Sequence, residues 1–167
     1  MTDSDDRYAV IDGAGSMTAF EIYIKTDPER LWEAITDPQM RARYSFGVET
    51  RSDWTPGSRY EAGVPGVIDI AAGENVEVDP PRRLVQTFNA LWSDDVKAVG
   101  ESRVTWEIEP VGTSCRLTVI HDQLPDGANS EVYGGWPMIL SGLKTLIESG
   151  EQLDTPGSLR YSGARDA

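Results

Sequence analysis

Large apolar residues recur at helical spacing near the C-terminal end of the chain. They occupy one stripe, made of Val132, Tyr133, Trp136, Ile139, Leu140, Leu143, Leu146 and Ile147. This spacing predicts a long helix that packs on one side. Gly150 follows at the position where a left-handed cap ends a helix. Pro137 cannot continue a preceding helix, so the helix either begins in that turn or is kinked there.

Two glycines interrupt this helical pattern. Gly135 and Gly142 lie on the same flank of the stripe, two helical turns apart. Each costs about 1 kcal/mol relative to alanine inside a helix. Close approach of another backbone would offset that cost, and so would space left for a ligand. The sequence leaves both explanations open.

Alternation of apolar and polar residues predicts strands in the rest of the chain. Residues 17–25 alternate and predict a first strand. Pro28 and Pro38 each follow an aspartate, which is the pattern of two short helix starts. Six more strands are predicted between residues 48 and 122, separated by turns that contain Pro or Gly. Gly73 predicts a bulge or a break in a long strand among these six.

The order of these elements predicts an α+β fold. Short turns between successive strands favour an antiparallel meander, and the terminal helix is the only element large enough to cover its apolar face. A twisted sheet curls, and a helix across its concave side often leaves a cavity. We therefore expect a helix-grip domain at residues 17–150: a curved antiparallel sheet of about seven strands around a long C-terminal helix, with two short helices after the first strand. A flexible segment at 1–16 and a polar tail at 151–167 flank it.

Composition excludes several classes of partner and site. The chain has 167 residues, which suits one domain, and its net charge of −13 disfavours binding to nucleic acid or anionic lipid. No signal sequence and no membrane-length apolar run is present, so we expect a cytoplasmic protein away from the membrane. One cysteine, Cys115, excludes an intrachain disulfide. With one histidine it cannot supply a typical zinc site, so no metal or cofactor is expected.

Strand parity predicts one candidate acid–base pair on the inner face of the sheet. His121 shares inward parity with Leu117 and Val119, and Glu74 shares parity with Val76. An imidazole and a carboxylate in one apolar cavity would have shifted pKa values and could exchange protons with a ligand. The structural alternative is a hydrogen-bonded His121 and a solvated or salt-bridged Glu74.

Aromatic residues are the stronger indication of a ligand site. Most of them fall on the predicted inner face of the sheet, at its rim, or at the start of the long helix. Ordinary core packing explains Trp106. For the aromatic residues near strand ends, core packing and cavity lining fit equally well. The predicted ligand-binding residues are Tyr44, Phe46, Trp54, Tyr60, Phe88, Trp92, Trp106, His121, Trp136 and Leu140.

Four short motifs, taken in order, resemble the SRPBCC superfamily, also called START-like or helix-grip proteins. They are Thr-Asp-Pro at 36–38, Arg-Tyr-Ser-Phe-Gly at 43–47, the segment 73–84 that ends in Asp-Pro-Pro-Arg-Arg-Leu, and Gly-Trp-Pro-Met-Ile-Leu at 135–140. Within the superfamily the chain is similar to the bacterial branch related to the activator of heat shock protein 90 ATPase. The match covers about residues 18–150.

The resemblance implies a helix-grip fold and often a hydrophobic ligand cavity. It does not imply one activity, because members include lipid carriers, cyclases, hormone receptors and co-chaperone domains. Ser45 stands where many relatives carry an aromatic residue, which would enlarge or polarise the cavity mouth. The eukaryotic co-chaperone binds its chaperone through a separate N-terminal domain, whereas about sixteen residues precede the first predicted strand here.

Three functions are therefore open. The first is binding of a small hydrophobic or amphipathic molecule between sheet and helix, with no assigned reaction. The second is a cyclase- or hydratase-type enzyme with Glu74 and His121 as proton shuttles. The third is a protein-interaction module, including chaperone contact through the acidic outer surface. A homodimer is compatible with each.

Overall fold

A computed structural model describes residues 16–155. Its strands are β1 (Ser16–Ile24), β2 (Glu49–Ser52), β3 (Arg59–Val64), β4 (Ile68–Asp79), β5 (Arg83–Ala90), β6 (Glu101–Val111) and β7 (Ser114–Leu124). Its helices are α1 (Pro28–Thr36), α2 (Pro38–Tyr44), α3 (Asp94–Lys97) and α4 (Trp136–Ser149), with a short 3-10 turn at Ser130–Val132. The sequence did not predict α3 or the 3-10 turn. The expectations for residues 1–15 and 156–167 lie outside the described part of the chain.

All seven strands belong to one antiparallel sheet with the order β1-β7-β6-β5-β4-β3-β2. Strands β2 to β7 are a meander, and β1 joins its far edge beside β7. The connection from β1 to β2 must therefore cross the sheet, and α1 and α2 occupy it. This architecture confirms the predicted α+β helix-grip fold. No helix between residues 16 and 155 is long and apolar enough to cross a membrane.

Pro137 lies in the first turn of helix α4, so the helix begins there and is not kinked. Its first residue is Trp136, and the preceding residues 130–132 form the 3-10 turn instead of a further helical turn. At the other end Gly150 adopts a left-handed φ of 80° and donates its backbone N–H to Leu146 O at 2.8 Å. The predicted cap is therefore present.

Contacts at its C-terminal half hold α4 against β1. Lys144 Nζ donates to Tyr23 O at 2.7 Å and to Glu148 Oε2 at 2.8 Å, and the same carboxylate accepts from Lys25 N at 2.8 Å. A Cβ atom on Gly142 would lie 2.8 Å from the backbone oxygen of Tyr44 in α2, so only glycine permits this approach. The last three turns of α4 are thus fixed on one side of the sheet.

The short helices share the task of covering the sheet, which corrects the expectation that α4 covers it alone. Fourteen residues give α4 a length of about 21 Å, whereas seven strands span about 30 Å. Asp27 and Asp37 cap α1 and α2 by accepting from Arg30 N at 2.8 Å and Met40 N at 2.9 Å. The two helices place Leu31, Ala34, Ile35 and Tyr44 in the core.

The irregularity in β4 lies at Val76 and not at Gly73. Asn75 is opposite Gln86 while Glu77 is opposite Val85, so Val76 is the extra residue of a bulge. A bulge reverses the inward and outward parity of the strand beyond it. The sequence prediction counted back across this point and placed Glu74 inward, which is wrong. Glu74 is exposed on the outer face, and Asn75 is the buried residue.

Candidate functional site

A cavity of about 510 Å³ lies between the inner face of strands β2–β6 and the first turn of α4. The turn after α2 and the segment at 130–135 complete its wall. The opening is bordered by exposed lining residues, namely Ser130, Glu131, Gly134 and Gly135. Nothing lies within 4 Å of a Cβ atom built on Gly135, so this glycine leaves open space at the opening. Close approach of another backbone therefore explains Gly142, whereas Gly135 adjoins open space.

Six of the ten predicted ligand-binding residues line this cavity. They are Phe46, Tyr60, Phe88, Trp92, Trp106 and Trp136. Burial raises the pKa of Tyr60, and its hydroxyl donates to Thr87 O at 2.7 Å. The Tyr60 hydroxyl is thus a fixed, neutral part of the wall.

Three other predicted residues lie outside the lining. Tyr44 is buried beneath it, where its hydroxyl donates to Ala34 O at 2.9 Å and burial raises its pKa to about 12. Leu140 is buried on the core side of α4. Trp54 follows β2 with a left-handed φ of 57° and packs half-buried against the core. All three belong to the hydrophobic core or pack against it.

His121 is the fourth predicted residue that lies outside the lining, and it is buried behind the cavity wall. Trp136 Nε1 donates to His121 Nδ1 at 3.1 Å, and His121 Nε2 lies 2.7 Å from Ser102 Oγ. An indole N–H only donates, so Nδ1 must accept and the imidazole proton must be on Nε2. That proton is donated to Ser102 Oγ, whose own hydrogen points to Phe88 O at 3.4 Å. Both ring nitrogens are therefore engaged.

This network and the burial of the ring favour the neutral form of His121. The residue is completely buried, and burial lowers its pKa to about 4. Glu74 lies on the outer face of β4, where its backbone N–H donates to Thr87 Oγ1 at 2.8 Å. The structure does not bring these two side chains together. The hydrogen bonds match the structural alternative for His121, and they hold the indole ring of Trp136 in the cavity wall.

Phe46 enters the cavity from a strained turn. It follows the C-cap residue Ser45 with a left-handed φ of 59°, and Gly47 N donates back to Ala42 O at 2.8 Å. Glycine usually occupies this position, and a non-glycine residue there costs on the order of 1 kcal/mol or more. An aromatic ring is held here at that cost, and it lies against Gly142 of α4. Such strain occurs often at functional sites.

Sequence reasoning missed Arg41, a half-buried charged residue of the wall. Its Nε donates to Ser45 Oγ at 3.3 Å and its Nη1 donates to Ile35 O at 3.2 Å. The guanidinium carbon lies 5.1 Å from the centre of the Trp106 ring and 5.8 Å from that of Tyr44. Arg41 precedes Tyr44 by three residues on α2, and this spacing could have placed both on one face. Ser45 is buried, so it polarises the interior of the cavity and not its mouth.

Two further features of the wall were also missed. Gln86 donates through Nε2 to Asn75 Oδ1 at 3.0 Å, and Asn75 Nδ2 donates to Ser52 Oγ at 2.8 Å. Gln86 is thus an oriented polar group on the inner face. On the neighbouring strands Ala62 and Ala71 are directly opposite each other and leave room where larger side chains would fill the space.

Comparison with solved structures supports the same fold. CalU16 from Micromonospora echinospora is 22% identical with a TM-score of 0.66, covering 86% of this chain and 80% of CalU16. MLL2253 from Mesorhizobium loti is 23% identical with a TM-score of 0.66, covering 79% and 96%. PFC0360w, described as an HSP90 activator from Plasmodium falciparum, is 22% identical with a TM-score of 0.66, covering 80% and 96%. At these identities the likeness shows the fold alone.

Sequence comparison identifies the family. No curated protein matches the chain. The family model described as activator of Hsp90 ATPase homolog 1-like protein matches residues 25–148, which include α1, the cavity walls and nearly all of α4. The four motifs that resemble the SRPBCC superfamily lie within this segment. The chain belongs to the family of activator of Hsp90 ATPase homolog 1-like proteins.

Proposed function

We propose that this protein binds one small apolar or amphipathic molecule in the cavity between the sheet and α4. The observation that carries the proposal is the cavity itself, about 510 Å³ beside a core of buried residues. This volume is within the range of about 300–1,000 Å³ that is typical of small-molecule sites. Its wall is mostly aromatic and aliphatic, with a few oriented polar groups, which is the usual composition of such sites.

The wall is also supported from behind, which favours a preformed site. Trp136 is oriented by its hydrogen bond to His121, and Tyr60 by its hydrogen bond to Thr87 O. The Trp106 and Trp136 rings meet edge to face with centroids 5.4 Å apart. Binding to fixed side chains loses less conformational entropy than binding to mobile ones. We therefore expect binding without rearrangement of the sheet.

A fluorescence titration with Nile red, a neutral apolar dye, tests the proposal. Wild-type protein should bind the dye saturably, with about one dye per chain. The double variant Ala62→Leu/Ala71→Leu fills the opposed alanine positions and should weaken binding by about tenfold or more.

Ala19→Leu is the matched control for this titration. Ala19 lies on β1 opposite Ile120, away from the cavity wall, so this variant should bind like wild type. Absence of saturable binding to wild-type protein would refute the proposal, as would equal binding by the double variant. Native mass spectrometry of protein purified from its own host would then identify a co-purifying molecule.

Contact with a chaperone is a second candidate function, favoured by the family match and by the structural likeness to an HSP90 activator. The test adds the purified chain to an Hsp90-type chaperone and measures the ATPase rate of the chaperone. An unchanged rate at saturating chain concentration would argue against this role. Light scattering of the same sample measures whether the chain is a homodimer, which stays a prediction.

A further inference from the structure

We infer that the molecule bound in the cavity carries an anionic head, such as a carboxylate, that pairs with Arg41. This inference rests on the proposed function and specifies the chemical class of the ligand. Among the described residues, Arg41 and Glu131 are the two charged ones in the lining, and Glu131 is exposed at the opening. Arg41 is half-buried in the wall beside Trp106. The interior of the cavity therefore carries one full charge, and it is positive.

Among the arginines of residues 16–155, Arg41 differs from most in having no carboxylate partner within that range. Within residues 16–155, ion pairs to aspartate or glutamate are formed by Arg51, Arg59, Arg82, Arg83, Arg103 and Arg116. Arg41 forms none of these pairs, although it is more buried than Arg51 or Arg59. Removing a charge from water is costly unless an opposite charge compensates. An anionic ligand would supply that compensation.

The guanidinium is also positioned to receive a ligand. It carries five N–H donors, and the structure records one bond from Nε and one from Nη1, so three donors stay without a protein acceptor in the described residues. The Ser45 and Ile35 bonds fix the plane of the group, and the Trp106 face supports it. A planar fork with free N–H groups suits a carboxylate, which accepts two parallel hydrogen bonds.

The other polar groups inside the wall are uncharged. Thr50 Oγ1 and Trp106 Nε1 have no hydrogen-bond partner among the described residues, so they are available for neutral hydrogen bonds but supply no counter-charge. The Tyr60 hydroxyl is donated to Thr87 O, and the Gln86 amide N–H is donated to Asn75. The Glu131 carboxylate is exposed at the opening, where water and salt screen its repulsion of an anion. The expected ligand thus has its anionic head beside Arg41 and its apolar body against the aromatic rings.

Competition between decanoate and decanol for bound Nile red tests this inference at neutral pH. The two competitors share an alkyl chain and differ in the charge of the head group. Decanoate should displace the dye at a concentration about tenfold lower than decanol, because a charge-assisted hydrogen bond exceeds a neutral one by that order. Raising the salt concentration should weaken decanoate more than decanol.

Arg41→Gln should remove this preference. Its decanoate affinity should fall by about tenfold or more, while its decanol and Nile red affinities stay within about twofold of wild type. Arg41→Lys should recover part of the preference because it keeps the charge. Arg43→Gln is the matched control: Arg43 is an exposed residue of the same helix, and its loss should leave both competitors unchanged.

The outcomes separate this inference from the proposed function. If wild-type protein binds Nile red but takes decanol as tightly as decanoate, the anionic head is refuted and apolar binding stands. Equal losses of decanoate and decanol in Arg41→Gln would also refute it. If neither the dye nor either competitor binds, the proposed function fails and the inference fails with it. If Arg41→Gln does not fold, two measurements test the inference instead. They are the salt dependence of decanoate binding by the wild type and the decanoate preference of Arg41→Lys.

Discussion

The inner face of the sheet has two halves that are built from different side chains. In the packed half, formed by β1 and β7, large aliphatic residues such as Ile24, Leu117 and Val119 are almost completely buried. In the hollow half, formed by β2 to β6, the inward residues include Thr50, Ala71 and Gln86 beside the aromatic rings. The hollow half therefore mixes small and polar side chains with aromatic ones, although both halves belong to one continuous sheet.

The position of α4 explains why the small side chains of the hollow half are not covered. The helix contacts β1 and α2, and Lys144 and Glu148 bond its C-terminal half to β1. Its first turn, with Trp136 and Ile139, reaches only the edge of the hollow half. A cavity follows from these two facts together: small residues on the sheet and a helix too short to close over them. The following variants test whether the halves differ as described.

Alanine substitutions of Leu143 and Ile139, one turn apart on α4, should give the largest difference in stability. Leu143 is fully buried over the packed half, so Leu143→Ala should lower the free energy of unfolding by about 3–4 kcal/mol. Ile139 is half-buried in the cavity wall, so Ile139→Ala should cost about 1 kcal/mol. Urea unfolding of both variants measures the two losses. Equal losses would mean that the cavity is filled in solution, and the distinction between the halves would be lost.

Acid should lower the stability of the protein through His121, which lies on β7 at the boundary between the two halves. The unfolded chain protonates this imidazole at its ordinary pKa of 6.5, whereas burial lowers the folded pKa to about 4. Between these values the unfolded state binds the extra proton, so the free energy of unfolding falls as pH falls from 6.5 to about 4. The loss should be about 3 kcal/mol in total.

The carboxylates of this chain also titrate in acid, so the measurement needs a variant for reference. His121→Gln cannot titrate, and the difference in stability between wild type and this variant should shrink by about 3 kcal/mol over the same pH window. A difference that does not change with pH would show that the folded state also protonates His121. The hydrogen bond from Trp136 to Nδ1 would then not hold the indole ring in the cavity wall.

Most of the fold could be predicted from the sequence because hydrophobic period is a local signal. The alternation around Trp106 and around Leu117 gave the right inward faces, and the Asp-Pro pairs gave the starts of α1 and α2. The bulge at Val76 could not be found in this way. A single extra residue leaves the composition of a strand unchanged but reverses its parity, and so the wrong carboxylate was placed inside.

The site was predicted less well because a cavity wall is set by tertiary position. Phe46 and Trp136 were found from their places near element ends, whereas Trp54, also near a strand end, lies outside the lining. Arg41 was missed because charged residues on short helices usually face water. Its spacing from the buried Tyr44 indicates an inward face of α2, but its contact with Trp106 depends on where α2 lies over the sheet, which is a tertiary property.

Two glycine positions on α4 should separate close packing from open space. Gly142→Ala places a methyl group 2.8 Å from Tyr44 O, so α2 or α4 must shift, and the expected loss is about 2 kcal/mol. Gly135→Ala meets nothing within 4 Å and should change stability by less than about 0.5 kcal/mol. Thermal unfolding of the two variants measures both effects. A neutral Gly142→Ala would mean that α4 and α2 are not in close contact, and the packed half would lose part of its cover.

The smallest change is expected where a side chain is added to the hollow half. Ala71 faces the cavity, so Ala71→Leu should alter the free energy of unfolding by less than about 1 kcal/mol, because the new methyl groups enter existing space. Ala34 of α1 is fully buried in the core and outside the cavity lining, and Ala34→Leu there should cost about 1–3 kcal/mol through overpacking. Denaturant unfolding of both variants gives the comparison, since the same substitution is made on the two sides of one core.

The sign of the Ala71→Leu effect carries further information. Burying added apolar area stabilises a protein by about 25 cal/mol per Å² when no strain opposes it. A stabilised variant that no longer binds Nile red would mean that the hollow half is kept open at a cost in stability, as expected of a binding site. A loss as large as that of Ala34→Leu would mean that residues such as Phe88 and Trp92 already fill this space in solution, and the cavity could not hold a ligand.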